Sequence, residues 1–228
     1  MKTALTVAAH PDDEVLGCGG TMARLAEEGW RVHVLILAEG VTSRPAVRNR
    51  ADHAAELSSL AHAAQASAAT LGVTSVRLSS FPDNRMDSVD LLDVVKLVEQ
   101  EIERLMPQRI YTHHRDDLNV DHRVVHDAVS VATRPLPASC VREVLTFEVP
   151  SSTEWRFPGT GNQFAPTMFV DITETLEKKL QALEMYNKEM RTFPHARSLE
   201  AVEHLARWRG ASVGVAAAEA FQLARAII

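Results

Sequence analysis

Cys18 and Cys140 are the only cysteines in the chain. They are too few and too far apart for a CxxC zinc knuckle or a dense disulfide framework, and a reducing cytoplasm is the expected setting. Long apolar runs are missing as well. The run that starts after Met1-Lys2-Thr3 breaks at His10-Pro11-Asp12-Asp13-Glu14. That is far short of the roughly 20 apolar residues a bilayer span needs, so neither a secretion signal nor a membrane span is expected. Positive charge is in deficit: 24 Lys and Arg against 30 Asp and Glu leave a formal charge of -6, which gives no bulk attraction for nucleic acid or an anionic membrane. No repeat or low-complexity tract appears. What remains is an ordinary globular composition, 46% hydrophobic and 24% charged over 228 residues, enough for one domain whose burial offsets the entropy of ordering it.

Strand and helix patterns alternate along that length. Thr3 to Ala9 and Arg31 to Ala38 are short apolar strands, and Gly17 to Glu28 between them has helical spacing, a β-α-β unit. Ala46 to Leu71 is an alanine-rich helical stretch ended by Gly72, and a short strand comes next at Ser75 to Leu78. Leu92, Val95, Val98 and Ile102 recur three or four apart in Val89 to Met106, Pro107 stops that helix, and Arg109 to Thr112 is the next strand. A helix to about Thr133, strands at Val144 to Phe147 and Met168 to Val170, and a helix from Thr173 to about Met190 complete the series, with two further helical segments around Gly210 and Gly214. The polar loop from Pro150 to Pro166 is a candidate lid or rim. The expectation is a single domain over 1–228 with a mainly parallel sheet and a C-terminal helical part from about 172. Such sheets take ligands beyond the carboxyl ends of their strands, which makes the residues just after Ala9, Ala38, Leu78 and Thr112 the candidates for a site.

The strand ending at Ala9 runs straight into an imidazole and three carboxylates, His10, Asp12, Asp13 and Glu14. Four ionisable groups in five residues repel or desolvate one another unless a cation neutralises them, and imidazole with carboxylate suits zinc or a similar divalent metal. The plain alternative is a solvated acidic turn capping a helix that begins near Val15. A second cluster stands after Thr112: His113, His114, Asp116, Asp117, Asn119, Asp121 and His122, with His126 four residues on. His122 and His126 share a helical face, but Arg123 stands where an HExxH motif needs its Glu, which excludes a zincin, and His126 reads as a packing histidine.

Together, Ala9-His10-Pro11-Asp12-Asp13-Glu14, the Gly17 and Gly19-Gly20-Thr21 helix opening, and Asp117-Leu118-Asn119-Val120-Asp121-His122 resemble the PIG-L or LmbE-like family of metal-dependent de-N-acetylases. The Phe81-Pro82-Asp83-Asn84-Arg85 loop adds to the likeness, and Arg209-Gly210 and Glu219-Ala220-Phe221 give a looser echo. The resemblance implies a Rossmann-like three-layer α/β/α sandwich. It implies a zinc ion, or another divalent metal, held by His10, Asp13 and His122, with Asp12 as general base. Substrates would be N-acetylated amino sugars in glycolipids, sugar nucleotides, thiol cofactors or antibiotics. Many members of the family have a histidine where this chain has Asn119, so a proton-donating role does not carry over to that position.

The chemistry of the residue types agrees with these roles. Three protein ligands leave a zinc position open for water, whose pKa then falls to about 7. Of the adjacent carboxylates Asp12 and Asp13, one can commit an oxygen to the metal while the other takes the proton, and the resemblance gives the first role to Asp13. Asn119 stabilises the oxyanion or positions its loop. Asp83, Asn84 and Arg85 are candidate contacts to substrate hydroxyls, with His113 and His114 as helpers at the same strand end as Asn119. His195, Arg197 and Trp208 are potential sugar or phosphate contacts, with a surface or packing role the expected one. The expected function is a zinc-dependent hydrolase that removes acetyl from an N-acetylated sugar or sugar conjugate. Its partner is a small molecule, not nucleic acid or membrane, and the reading admits a homo-oligomer. The rivals are an amidase using the same site on a larger amide, a noncatalytic metal binder, and a nucleotide-binding oxidoreductase built on Gly17-Cys18-Gly19-Gly20. The last lacks GxGxxG spacing. A buried packing role is expected for Cys18 rather than a nucleophilic one.

Overall fold

A computed structural model describes residues 1–43 and 48–228. In chain order its main elements are β1 (Thr3–Ala8), α1 (Asp13–Glu27), β2 (Arg31–Ala38), α2 (Ala54–Thr70), β3 (Ser75–Phe81), α3 (Leu91–Leu105) and β4 (Arg109–His113). They continue as α4 (Val120–Ala132), β5 (Glu143–Phe147), β6 (Met168–Asp171), α5 (Leu176–Glu184), α6 (Leu199–Ala211) and β7 (Ala218–Ala226). The strands form one sheet in the order β3-β2-β1-β4-β5-β7-β6. The first five are parallel, and β7 runs antiparallel to both β5 and β6.

The sheet is buried on both faces, which is why β1 and β2 read as continuous apolar runs rather than as alternation. Ala4, Val34 and Ile36 point to the side covered by α1, α2, α5 and α6, where Val15, Met22, Leu60, Leu183 and Val202 pack. Leu5, Leu35 and Leu37 point to the other side, covered by Val94, Val95 and Val98 of α3 and Val125 and Val129 of α4. The chain is therefore the expected three-layer α/β/α sandwich. Local signals end the helices where expected: Met106, left-handed at φ 51°, and Pro107 terminate α3, and the Asn119 side chain caps α4 by accepting from the Asp121 N–H. Among the described residues no helix is long and apolar enough to cross a membrane.

Position decides function in this topology. The chain winds outward from β1 through β2 and β3, then returns to place β4 on the other side of β1, so the switch point lies between β1 and β4. Both clusters of ionisable residues stand at the ends of those two strands.

The C-terminal part departs from expectation. No helix surrounds Gly214, which lies at φ 83° in a turn ahead of β7. Alanine favours helix locally, but Ala218–Ala226 has strand partners on both sides and buries Phe221 against Tyr111, and that tertiary pairing decides. Residues 172–228 are thus two helices and a strand rather than helix alone. Ala46 and Val47, the expected start of the second helix, lie outside the described residues.

Candidate metal and catalytic site

The turn from β1 into α1 is strained. Asp12 has φ 115°, a region L-residues rarely occupy, worth on the order of 1–3 kcal/mol and characteristic of functional sites. Its surroundings hold it there: its N–H donates to Glu14 Oε2 at 3.0 Å, its carbonyl accepts from the Val15 and Leu16 amides, and its Oδ2 receives Arg197 Nη1 at 2.9 Å. Glu14 is anchored in turn by the Tyr186 hydroxyl at 2.6 Å.

Asp13 Oδ2 lies 3.1 Å from His10 Nδ1, 3.1 Å from His122 Nε2 and 3.7 Å from His113 Nε2. One ligand atom each from His10, Asp13 and His122 falls within 4.8 Å of the others, and so does a second group, His10, Asp83 and Asp121. Hydrogen bonding tells the two apart. Asp121 accepts from the amides of Asn84 (2.6 Å) and Met86 (2.9 Å), and Asp83 from the Ser43 amide (3.1 Å) and Asn84 Nδ2 (2.9 Å). That group is satisfied. In the first, Asp13 Oδ1 and His122 Nε2 are buried without a hydrogen bond, and unpartnered buried polar atoms are rare enough to need a cause. His10 Nε2 lies 3.0 Å from Asp121 Oδ2, and its Nδ1 faces Asp13 Oδ2 at 3.1 Å. Nδ1 meets that carboxylate through a shared cation, a proton or a metal ion. The residues present therefore fit a divalent metal held by His10, Asp13 and His122, with Asp121 orienting one imidazole and Asp117 Oδ1, 3.1 Å from His122 Nδ1, orienting the other. Ser152 and Thr153 hydroxyls hold Asp117 in place.

The electrostatics say the same. Burial pulls the His122 pKa down, but the charges of Asp13 and Asp117 outweigh it and bring it up to about 9. His10 likewise overcomes its burial through Asp121, Asp13 and Asp83 and stands well above the ordinary imidazole range. Asp13 is held well below the carboxylate range despite burial, by His122 and His10. The pocket draws positive charge. Asp12 belongs to neither group: burial pushes its pKa up to about 7 against the lowering effect of Arg197, and its Oδ1 is buried with no partner.

The structure redistributes other expected roles. His113 is fully buried, accepts from the Ala9 N–H at 2.8 Å and stacks on His122 at 3.9 Å between ring centroids, so it backs the ligand rather than meeting substrate. His114 is buried too. It donates to the Asn162 carbonyl at 2.9 Å and lines a recess of about 250 Å³ with Asp116 and Arg156, which ties it to the 150–166 loop. Asp83 steadies His10 from 3.3 Å. Asn84 links Asp83, Asp121 and Asn119, and Arg85 enters the short helical turn Met86–Ser88 that packs against α4. Asn119 has Oδ1 on the Asp121 amide (2.8 Å) and one Nδ2 hydrogen on Asn84 Oδ1 (2.9 Å), so it positions the loop and keeps a second N–H that no group among the described residues takes up. His126 donates to the His113 carbonyl at 3.0 Å, a packing role as expected. Cys18 is buried and burial pushes its thiol pKa far up, which removes it as a nucleophile. Gly17-Cys18-Gly19-Gly20 lies inside α1 instead of in a loop before it, and the buried Asp12, Asp13 and Glu14 sit at the helix start, where a dinucleotide pyrophosphate would need donors. Arg197, expected at the surface or in packing, instead pairs with Asp12, and Tyr186 was not legible as a site residue. No motif surrounds them, and only the fold brings them to the strand ends.

Fold and cluster define an α/β sandwich with a candidate metal site at the switch point of its sheet. The family is named by a match of residues 5–133, more than half of the chain, to the model of PIG-L, GlcNAc-PI de-N-acetylase, and the chain belongs to that family. An uncharacterized deacetylase of Escherichia coli (strain K12), YaiS, is 28% identical over 191 residues, covering 81% of this chain and 90% of its own length. The crystal structure of GalB, the 4-carboxy-2-hydroxymuconate hydratase of Pseudomonas putida KT2440, superposes with a TM-score of 0.78 at 25% identity, over 100% of this chain and 98% of that one. N,N'-diacetylchitobiose deacetylase from Pyrococcus horikoshii shares the fold at a TM-score of 0.75 and 20% identity, over 98% of this chain and 84% of its own.

Proposed function

We propose that this chain is a zinc-dependent cytoplasmic hydrolase that removes the acetyl group from an N-acetylated amino sugar or sugar conjugate. The observation that carries the reading is the unpartnered Oδ1 of Asp12, buried beside the His10, Asp13 and His122 group yet outside it. A metal held by those three residues would supply a Lewis acid for the amide carbonyl and acidify water to a pKa of about 7. Asp12 does the proton work. Arg197 fixes one of its oxygens, and the other takes the proton from the attacking water. Asn119 does not titrate, so Asp12 also returns the proton to the leaving nitrogen. Asp117 and Asp121 keep the two imidazoles aimed throughout.

The likeness to a hydratase motivates a second reading, addition of water to an unsaturated polycarboxylate. The pairing of Arg197 with Asp12 favours the first reading, since it commits that guanidinium within the protein rather than to a substrate carboxylate. A panel of N-acetylhexosamines, their nucleotide diphosphate forms and thiol conjugates, read out as acetate and free amine, tests the proposal. Amine release from any of these confirms deacetylation. No release, with water added to 4-oxalmesaconate instead, replaces it with the hydratase reading.

A further inference from the structure

Helix α1 is broken. Cys18 leaves helical geometry at φ −149° and ψ 27°, which separates a first turn bearing Asp13 and Glu14 from the longer segment behind it. A break of this kind strands peptide groups on both sides. Here a buried ion pair from the C-terminal part of the chain takes them up. Glu219 of β7 accepts the Gly20 N–H on Oε1 at 3.0 Å and the Thr21 N–H on Oε2 at 2.7 Å. Lys179 of α5 donates to the Leu16 carbonyl at 2.9 Å and to Glu219 Oε1 at 2.6 Å. The Thr175 hydroxyl adds a bond to the Gly20 carbonyl at 2.8 Å. Both charges are out of water, Lys179 3% and Glu219 4% exposed.

The fit around the break is close. A Cβ on Gly17 would stand 2.2 Å from the Phe147 ring, and one on Gly20 within 2.8 Å of Ile172. A buried ion pair is a poor source of stability compared with apolar packing of the same volume, so a stability role alone is a weak account of it. This pair does something apolar side chains do not: it bonds a carbonyl just before the break and two amides just after it in a fixed relation.

We propose that Lys179 and Glu219 are positioning residues that splint the two segments of α1, so that Asp13 meets His10 and His122 at metal-binding distance. The proposal rests on the metal reading given above. Its test uses the full chain loaded with Co²⁺, whose absorption spectrum reports coordination geometry. Glu219→Gln removes the charge at constant size, and Glu219→Asp keeps the charge but withdraws it by one methylene. Glu101→Gln is the stability control, since it removes another buried carboxylate on α3, across the sheet, where Arg77 and Arg104 hold it. Three quantities are measured: the Co²⁺ dissociation constant by chelator competition, the visible spectrum, and the thermal midpoint. In both Glu219 variants Co²⁺ affinity should fall about tenfold or more, the scale for losing an outer partner of a ligand, with an altered spectrum. The control should lose thermal stability alone. Should Glu219→Gln fail to fold, Glu219→Asp carries the same comparison. Glu219 variants that lose thermal stability while keeping the parent's affinity and spectrum overturn the proposal and leave the metal reading intact. A parent chain that binds no Co²⁺ overturns both.

Discussion

Residues 5–133, the span that matches the family model, form most of the parallel sheet and carry His10, Asp13 and His122 on the turns beyond β1 and β4. Residues 168–228 add an antiparallel edge and contribute no ligand, yet Arg197 reaches Asp12, Tyr186 reaches Glu14, and Lys179 with Glu219 reaches the kink of α1. On the function proposed above, the first region holds the reacting groups and the second holds those groups still. Contacts that set geometry need no contiguous sequence, because each supporting side chain is placed by its own helix or strand. Contacts that assemble a ligand set gain from short connections, since neighbours on one turn need little further ordering to converge.

The sharpest way to break this comparison is to remove a ligand. His122→Ala should lose most of the metal, measured by elemental analysis after gel filtration, because two ligands leave the site open; full occupancy would move the assignment to other residues of the cluster. Asp12→Asn comes next. It should keep the metal and lose turnover by roughly 10² to 10⁴, the worth of a positioned general base, while metal lost in step with activity would make Asp12 a ligand. Arg197→Met tests the second region directly: turnover should drop by about 10- to 100-fold at unchanged metal content, the scale for removing an outer partner. A parent-like rate would restrict Arg197 to joining its loop to Ser151, to which its Nε donates at 3.0 Å. Asn119→Ala should cost about 1 kcal/mol in denaturant midpoint, the value of an N-cap, with a rate effect smaller than that of Asp12→Asn. A large loss of turnover without loss of stability would instead put Asn119 on the reacting atoms.

The smallest effect is a pH control remote from the site. Burial raises the Glu101 pKa, but hydrogen bonds from Arg104 and Arg77 outweigh it, so the folded value lies below the unfolded one. Glu101 therefore stabilises the fold above its unfolded pKa, and that contribution is lost as pH falls through the folded value. Glu101→Gln should flatten the acid limb of the stability profile below the ordinary glutamate range. Identical acid limbs in parent and variant would show that the ion pair sets no difference between folded and unfolded states.

How much was legible in the sequence depends on the same division. His10, Asp13 and His122 stand in two short motifs at strand ends, and β1, β2 and β4 announce themselves by apolar runs between turn residues. Asp121 and Asp117 sat in plain view within the second motif, but their work, one on each imidazole, appears only once the rings are placed. Arg197 lies 185 residues from Asp12 and Tyr186 lies 172 from Glu14, with no periodicity linking either pair. Strand β7 was hidden for a different reason. Its alanines carry a helical preference that only the pairing with β5 and β6 overrides.

The burial of Cys18 at the break in α1 gives the molecule a chemical reporter of its own opening. Cys140 is half-buried and should label with a thiol reagent in the native state, whereas buried Cys18 should label only once the helix that bears Asp13 has lifted from the sheet. The slow phase of labelling is then a direct reading of the free energy that keeps the ligand turn closed. Because a metal that binds only the closed form raises that free energy by RT ln(1 + [L]/Kd), protection of one sulfur atom converts into an affinity for a site it never touches.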